Sequence, residues 1–117
     1  MTRPDKYKLI GKLAVPVDDL FEWGRWFETA DRIVAKTDVG PLRVSTVFLG
    51  LDHNFIGRGD PPLFETMVFG GEADDEASES YCDRYSTWGE AERGHAKAVA
   101  WAEERLRRAD AGHRHRL

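Results

Sequence analysis

Four polar side chains stand where the surrounding pattern calls for apolar ones. Asp52 and His53 close an apolar run, Glu65 alternates with Leu63, Met67 and Phe69, and His95 sits in the middle of an alanine-rich stripe. If the strands that carry Asp52 and Glu65 pair antiparallel, Asp52, His53 and Glu65 meet at one end of a sheet. A covering helix would then bring His95 toward them. Two histidines with two carboxylates can ligate a divalent metal or carry out general acid–base chemistry. The same residues also fit structural roles. A histidine among alanines is held in a core by a carboxylate or carbonyl partner, and Asp52 and Asn54 start loops by bonding nearby backbone N–H groups. The sequence has no HExxH, CxxC or Walker-type glycine loop, so none of those motifs raises the metal reading above the structural one.

A second set of candidates could bind rather than react. The loop Asp52-His-Asn-Phe-Ile-Gly-Arg-Gly-Asp-Pro-Pro62 is long and rich in Gly and Pro, the kind of connection that often carries function. Arg58 at its centre, with His53 and Asn54, could meet a small anionic ligand or a nucleotide. Gly57-Arg-Gly59 is too short to cradle a phosphate, and Arg58-Gly-Asp60 matches an adhesion tripeptide only by chance. Trp26 and Trp101 flank the stripes of their helices and are candidate stacking or interface anchors, since Trp is enriched among binding hot spots. Trp23 and Trp26 cannot both point inward along one narrow stripe.

These residues need elements to hold them. The 117-residue chain is long enough for one core and too short for two. Its 41% hydrophobic and 32% charged content is globular, and four Trp, three Tyr and six Phe give the core large apolar side chains. Cys82 is the single cysteine, so no internal disulfide supports the fold, which suits a reducing, cytoplasmic setting. The first residues lack the apolar run of a signal peptide or a spanning helix, so no membrane role is expected. A net charge of −4 argues against nucleic acid as the default partner. Six acidic residues fall between Glu72 and Asp83 without a basic one, whereas the C-terminus holds Arg105, Arg107, Arg108, Arg114 and Arg116. Those opposite charges, with the surplus aromatic surface, point to a homodimer.

Along the chain, Lys8–Val15 reads as a first strand closed by Pro16. Asp19 and Glu22 then open a short helix that carries Leu20, Trp23, Gly24 and Phe27 and runs to about Glu28. Arg32–Thr37 and Arg43–Leu51 flank Asp38-Val-Gly-Pro41 as a hairpin. The second of these is apolar on both faces, with Val47, Leu49 and Leu51 against Val44, Thr46 and Phe48, which predicts a central strand. Leu63–Phe69 is the next strand. Thr87-Trp-Gly-Glu90 is a capping box that starts a helix to about Ala109, with Trp88, Ala91, His95, Ala98, Val99, Ala102 and Leu106 as its stripe. The expected architecture is α+β, one domain over residues 1–110 in the order β-α-β-β-β-α. A small antiparallel sheet lies under the long C-terminal helix, and a basic flexible tail follows at 111–117.

Trp26-Phe-Glu-Thr-Ala-Asp-Arg32, Val44-Ser-Thr-Val-Phe-Leu-Gly-Leu-Asp-His-Asn-Phe55, Pro61-Pro-Leu-Phe-Glu-Thr-Met-Val-Phe69 and Tyr85-Ser-Thr-Trp88, with Gly94-His95, resemble a family of small bacteriophage and prophage proteins. The resemblance spans roughly residues 22 to 100. It implies a phage-linked accessory protein of the host cytoplasm and carries over neither an activity nor catalytic residues. The favoured reading is therefore a non-enzymatic protein, without cofactor, that binds a host or phage protein and blunts a host defence. A small-ligand or nucleotide-binding module is the alternative. A metal-dependent enzyme using Asp52, His53, Glu65 and His95 is the third reading.

Overall fold

A computed structural model describes residues 4–52, 59–70 and 81–115, the last five of these by backbone path alone. His53, Asn54, Arg58 and the acidic run from Glu72 to Glu79 lie outside the described residues.

The expected first strand is two. β1 (Tyr7–Ile10) and β2 (Leu13–Pro16) pair antiparallel, with Ile10 opposite Leu13. Gly11 and Lys12 make the two-residue turn between them, and Gly11 takes φ +62° at its first central position, as tight hairpin turns require. Helix α1 (Leu20–Thr29) follows, its N-terminus capped by Asp19, whose Oδ1 accepts from the N–H groups of Phe21 and Glu22. Glu22 does not reach back to complete the capping box. Its carboxylate takes the Lys8 ammonium at 3.2 Å, which ties the helix to β1 together with a Trp23 Nε1–H bond to the Tyr7 carbonyl.

The second sheet has four antiparallel strands in the order β3-β4-β5-β6: β3 (Ile33–Val39), β4 (Leu42–Phe48), β5 (Phe64–Gly70) and β6 (Cys82–Tyr85). β4 is central, as its two apolar faces predict. The β3–β4 hairpin turns at Gly40-Pro41, where Gly40 has φ +58°. Beyond β4 the chain pairs with residues ahead of β1 through a Lys6–Leu51 bridge, and the Asp52 N–H reaches the Asp5 carbonyl. Helix α2 (Trp88–His115) lies across this sheet. Its capping box is complete: the Glu90 N–H donates to Thr87 Oγ1, and the Thr87 N–H donates to Glu90 Oε1. The helix runs past Ala109 through His115, so 111–115 continue it rather than forming a tail. Glu104 bonded to Arg107 and Arg108, and cationic side chains at a helix C-terminus, favour that extension.

The core lies between α2 and one face of the sheet. Val44, Phe48, Phe64, Ala91, Ala98 and Ala102 are fully buried there. The small alanines let the helix approach, and Gly94 lets it approach closest, because a Cβ there would overlap the Tyr85 ring. Edge-to-face aromatic contacts run Trp26–Phe48, Phe48–Phe64 and Phe64–Trp88, linking α1 to α2 through the sheet. The result is an α+β single-domain fold, in the order β-β-α-β-β-β-β-α.

Candidate functional site

Period-two alternation decides which of the four polar candidates can meet. On β5, Thr66 and Val68 are buried under α2, whereas Glu65 belongs to the opposite face, in register with Val47 and Arg84. Its carboxylate pairs there with Arg84 Nε at 2.9 Å and accepts a weak bond from the Cys82 thiol at 3.5 Å. His95 comes down from α2 onto the covered face. Glu65 and His95 therefore lie on opposite sides of the sheet, and the expected four-residue cluster does not form. Asp52 is buried near the Lys6–Leu51 bridge, and His53 lies outside the described residues. Among the described residues no three His, Cys, Asp or Glu side chains gather in a way that could hold a metal ion.

His95 finds hydroxyls where a carboxylate or carbonyl was expected. Its Nε2 lies 2.8 Å from Thr37 Oγ1 on β3, and its Nδ1 lies 2.8 Å from Thr46 Oγ1 on β4. Thr46 Oγ1 in turn lies 2.5 Å from Thr66 Oγ1 on β5. One imidazole thus opens a chain of hydroxyls across three strands. A neutral ring offers one donor and one acceptor, and a threonine hydroxyl rotates to serve either, so every member is satisfied without an ionic partner. The ring is only 7% exposed, and its burial pushes its pKa below the ordinary histidine value. On the same face of β6 is Tyr85, paired with Phe64 and packed on Gly94. Its hydroxyl is buried without a well-formed hydrogen bond, and burial raises its pKa. The arrangement locks strands to a helix. It presents no activated nucleophile and no open ligand position.

The sequence pattern gives the threonines no role, although it places Thr46 on the covered face beside Val44 and Phe48. A hydroxyl at an inward strand position facing a histidine stripe is the signal that identifies them.

The two tryptophan candidates are half-buried and engaged. Trp26 stands edge-on to Phe48, and Trp101 lies 4.9 Å from Tyr81 with the Arg105 guanidinium over its ring. Trp23 and Trp26 both find packing partners because α1 meets two surfaces, Trp23 facing β1 and Trp26 facing the core.

The apolar side chains left in solvent fall into two groups. Ile10, Leu13, Leu20 and Phe21 are 59–78% exposed on the β1–β2 hairpin and the first turn of α1. Ile33 and Phe69 are 44% and 47% exposed on the sheet face away from α2. An open pocket of about 430 Å³ lies at the Gly40-Pro41 end of that face, lined by Asp38, Arg43, Phe69 and Gly70. Its two charged groups, Asp38 and Arg43, are already paired to each other at 3.1 Å.

The fold and these surfaces define a small α+β domain in which His95 and three threonine hydroxyls form a covered polar network. No family model, no curated protein and no solved structure matches the chain. No helix among the described residues is long and apolar enough to cross a membrane.

Proposed function

We propose that this chain is a non-enzymatic accessory protein that works by binding another protein. Its contact surface is the β1–β2 hairpin with the start of α1. The observation that supports this is the concentration of exposed apolar side chains in one short stretch: Ile10 and Leu13 directly opposite each other at the hairpin tip, and Leu20 and Phe21 on the first turn of α1. Large apolar side chains gathered in solvent mark interaction surfaces. The Lys8–Glu22 pair and the Trp23–Tyr7 bond hold the two elements together, so the surface is presented by a braced unit. The resemblance to phage proteins adds the setting: a host or phage protein in the bacterial cytoplasm as the partner, and interference with a host defence as the outcome. Among the described residues, Glu65 and His95 are split by the sheet, and His95 is satisfied by hydroxyls within the core, which favours binding over catalysis.

A photo-crosslinking residue placed at Leu13 or Phe21 of the full chain, expressed in bacterial cells, tests this reading. The expected result is one discrete protein adduct from those positions and none from exposed Lys97. Identical adduct patterns from all three positions, or no adduct, would overturn it.

A further inference from the structure

The sheet face away from α2 has a pattern of its own. The register arranges its residues in three rows: Ile33–Val47–Glu65–Arg84, then Lys36–Ser45–Met67–Cys82, then Asp38–Arg43–Phe69. Residues in one row are cross-strand neighbours on one face. Across this grid Ile33, Val47, Met67 and Phe69 form an apolar diagonal. On one side of the diagonal lies the Glu65–Arg84 ion pair. On the other side lie Lys36 and the Asp38–Arg43 ion pair.

From this pattern we infer that the face docks a second copy of the chain, face to face. Consider a two-fold axis that lies between two such faces and runs along the diagonal. It lays the apolar diagonal on its own copy. It also carries the Glu65–Arg84 corner of one protomer over the Lys36–Asp38 corner of the other, so Glu65 meets Lys36 and Arg84 meets Asp38. Both contacts unite opposite charges, and the symmetry makes each twice. Any other protein would have to reproduce this arrangement, whereas a second copy supplies it without change. A symmetric pairing also covers Ile33 and Phe69, the two large apolar side chains of this face left in solvent. At strand spacings of about 4.8 Å, three rows over four strands make a patch smaller than the ~800 Å² per partner of tight complexes. The dimer is therefore reversible. The face is separate from the hairpin surface proposed for the partner protein, so either assignment can fail alone.

Sedimentation velocity on the full chain over a concentration series tests it through a charge swap. Lys36→Glu alone and Glu65→Lys alone each set like charges against each other twice in a homodimer, and each should weaken self-association at least about tenfold. An equimolar mixture of the two variants restores opposite charges at both contacts and should dimerise like wild type. Phe69→Ser should weaken the dimer without lowering the melting temperature, which separates lost docking from lost folding. A wild-type chain that stays monomeric to its solubility limit would overturn the inference. So would a mixture that associates no better than either variant alone.

Discussion

His95 Nδ1 stands 2.8 Å from the Thr46 hydroxyl, and that contact joins the last helix to the central strand of the sheet. Together with Thr37 and Thr66 it makes a polar seam inside a core that is otherwise mainly aliphatic and aromatic.

Replacing His95 by Ala removes the partner of two hydroxyls at a buried position. A buried polar group left unpaired costs about 1–3 kcal/mol, so His95→Ala should lower the stability measured by urea denaturation by about 2–3 kcal/mol. Metal content by elemental analysis should be the same before and after the change. Stoichiometric zinc or manganese that disappears in His95→Ala would instead make the ring a ligand.

Stability should also depend on pH through this ring. Burial holds the folded pKa of His95 below its ordinary value of 6.5. Above 6.5 the ring is neutral in both states and the stability is present in full. As pH falls below 6.5 the unfolded chain takes up a proton that the folded chain resists, so stability is lost until the folded ring also protonates. Melting temperatures from pH 8 to 5 should fall in this window for wild type, and the fall should be shallower in His95→Gln.

Much of this was legible in the sequence. The Thr87 capping box and the stripe from Trp88 to Leu106 marked the last helix, because one pattern persists there over several turns. Gly40-Pro41 marked the hairpin, and apolar residues of both parities marked β4 as central. The break within Lys8–Val15 was harder to see. A single Gly11 interrupts a run rich in apolar residues, and only tertiary pairing shows that the chain turns back there. β6 was missed because it is four residues long, with Asp83 and Arg84 at its centre, and an edge strand keeps such charges in solvent. Glu65 and His95 were grouped because both interrupt apolar patterns. Those patterns face opposite sides of one sheet, and the spacing within each segment does not say which side the helix will cover.

Two glycines in helices should respond oppositely to alanine. Nothing lies within 4 Å of where a Cβ at Gly24 would point, so Gly24→Ala should stabilise α1 by about 0.5–1 kcal/mol through helix propensity. At Gly94 the same change meets the Tyr85 ring, and overpacking there should cost about 1–3 kcal/mol. Thermal denaturation of both variants checks the pair, and equal shifts of the same sign would mean that α2 does not pack closely on β6.

Deleting the chain from Thr87 onward strips the cover from Val44, Phe48, Phe64 and Val68. Losing a whole core face exceeds the ~5–15 kcal/mol that stabilises a typical domain, so the truncated chain should show no cooperative melt by circular dichroism. A transition near the wild-type temperature would show that the sheet stands without its helix.

The polar residues inside this protein hold its fold, and the function we propose is exercised at its surfaces. Nitrogen-15 NMR of the His95 ring across pH, with and without added zinc, tests that claim most directly. A neutral imidazole in one tautomer at pH 7, a titration midpoint below 6.5 and no change on adding zinc are expected. A midpoint above 6.5, or a His95 signal that shifts with substoichiometric zinc, would contradict it.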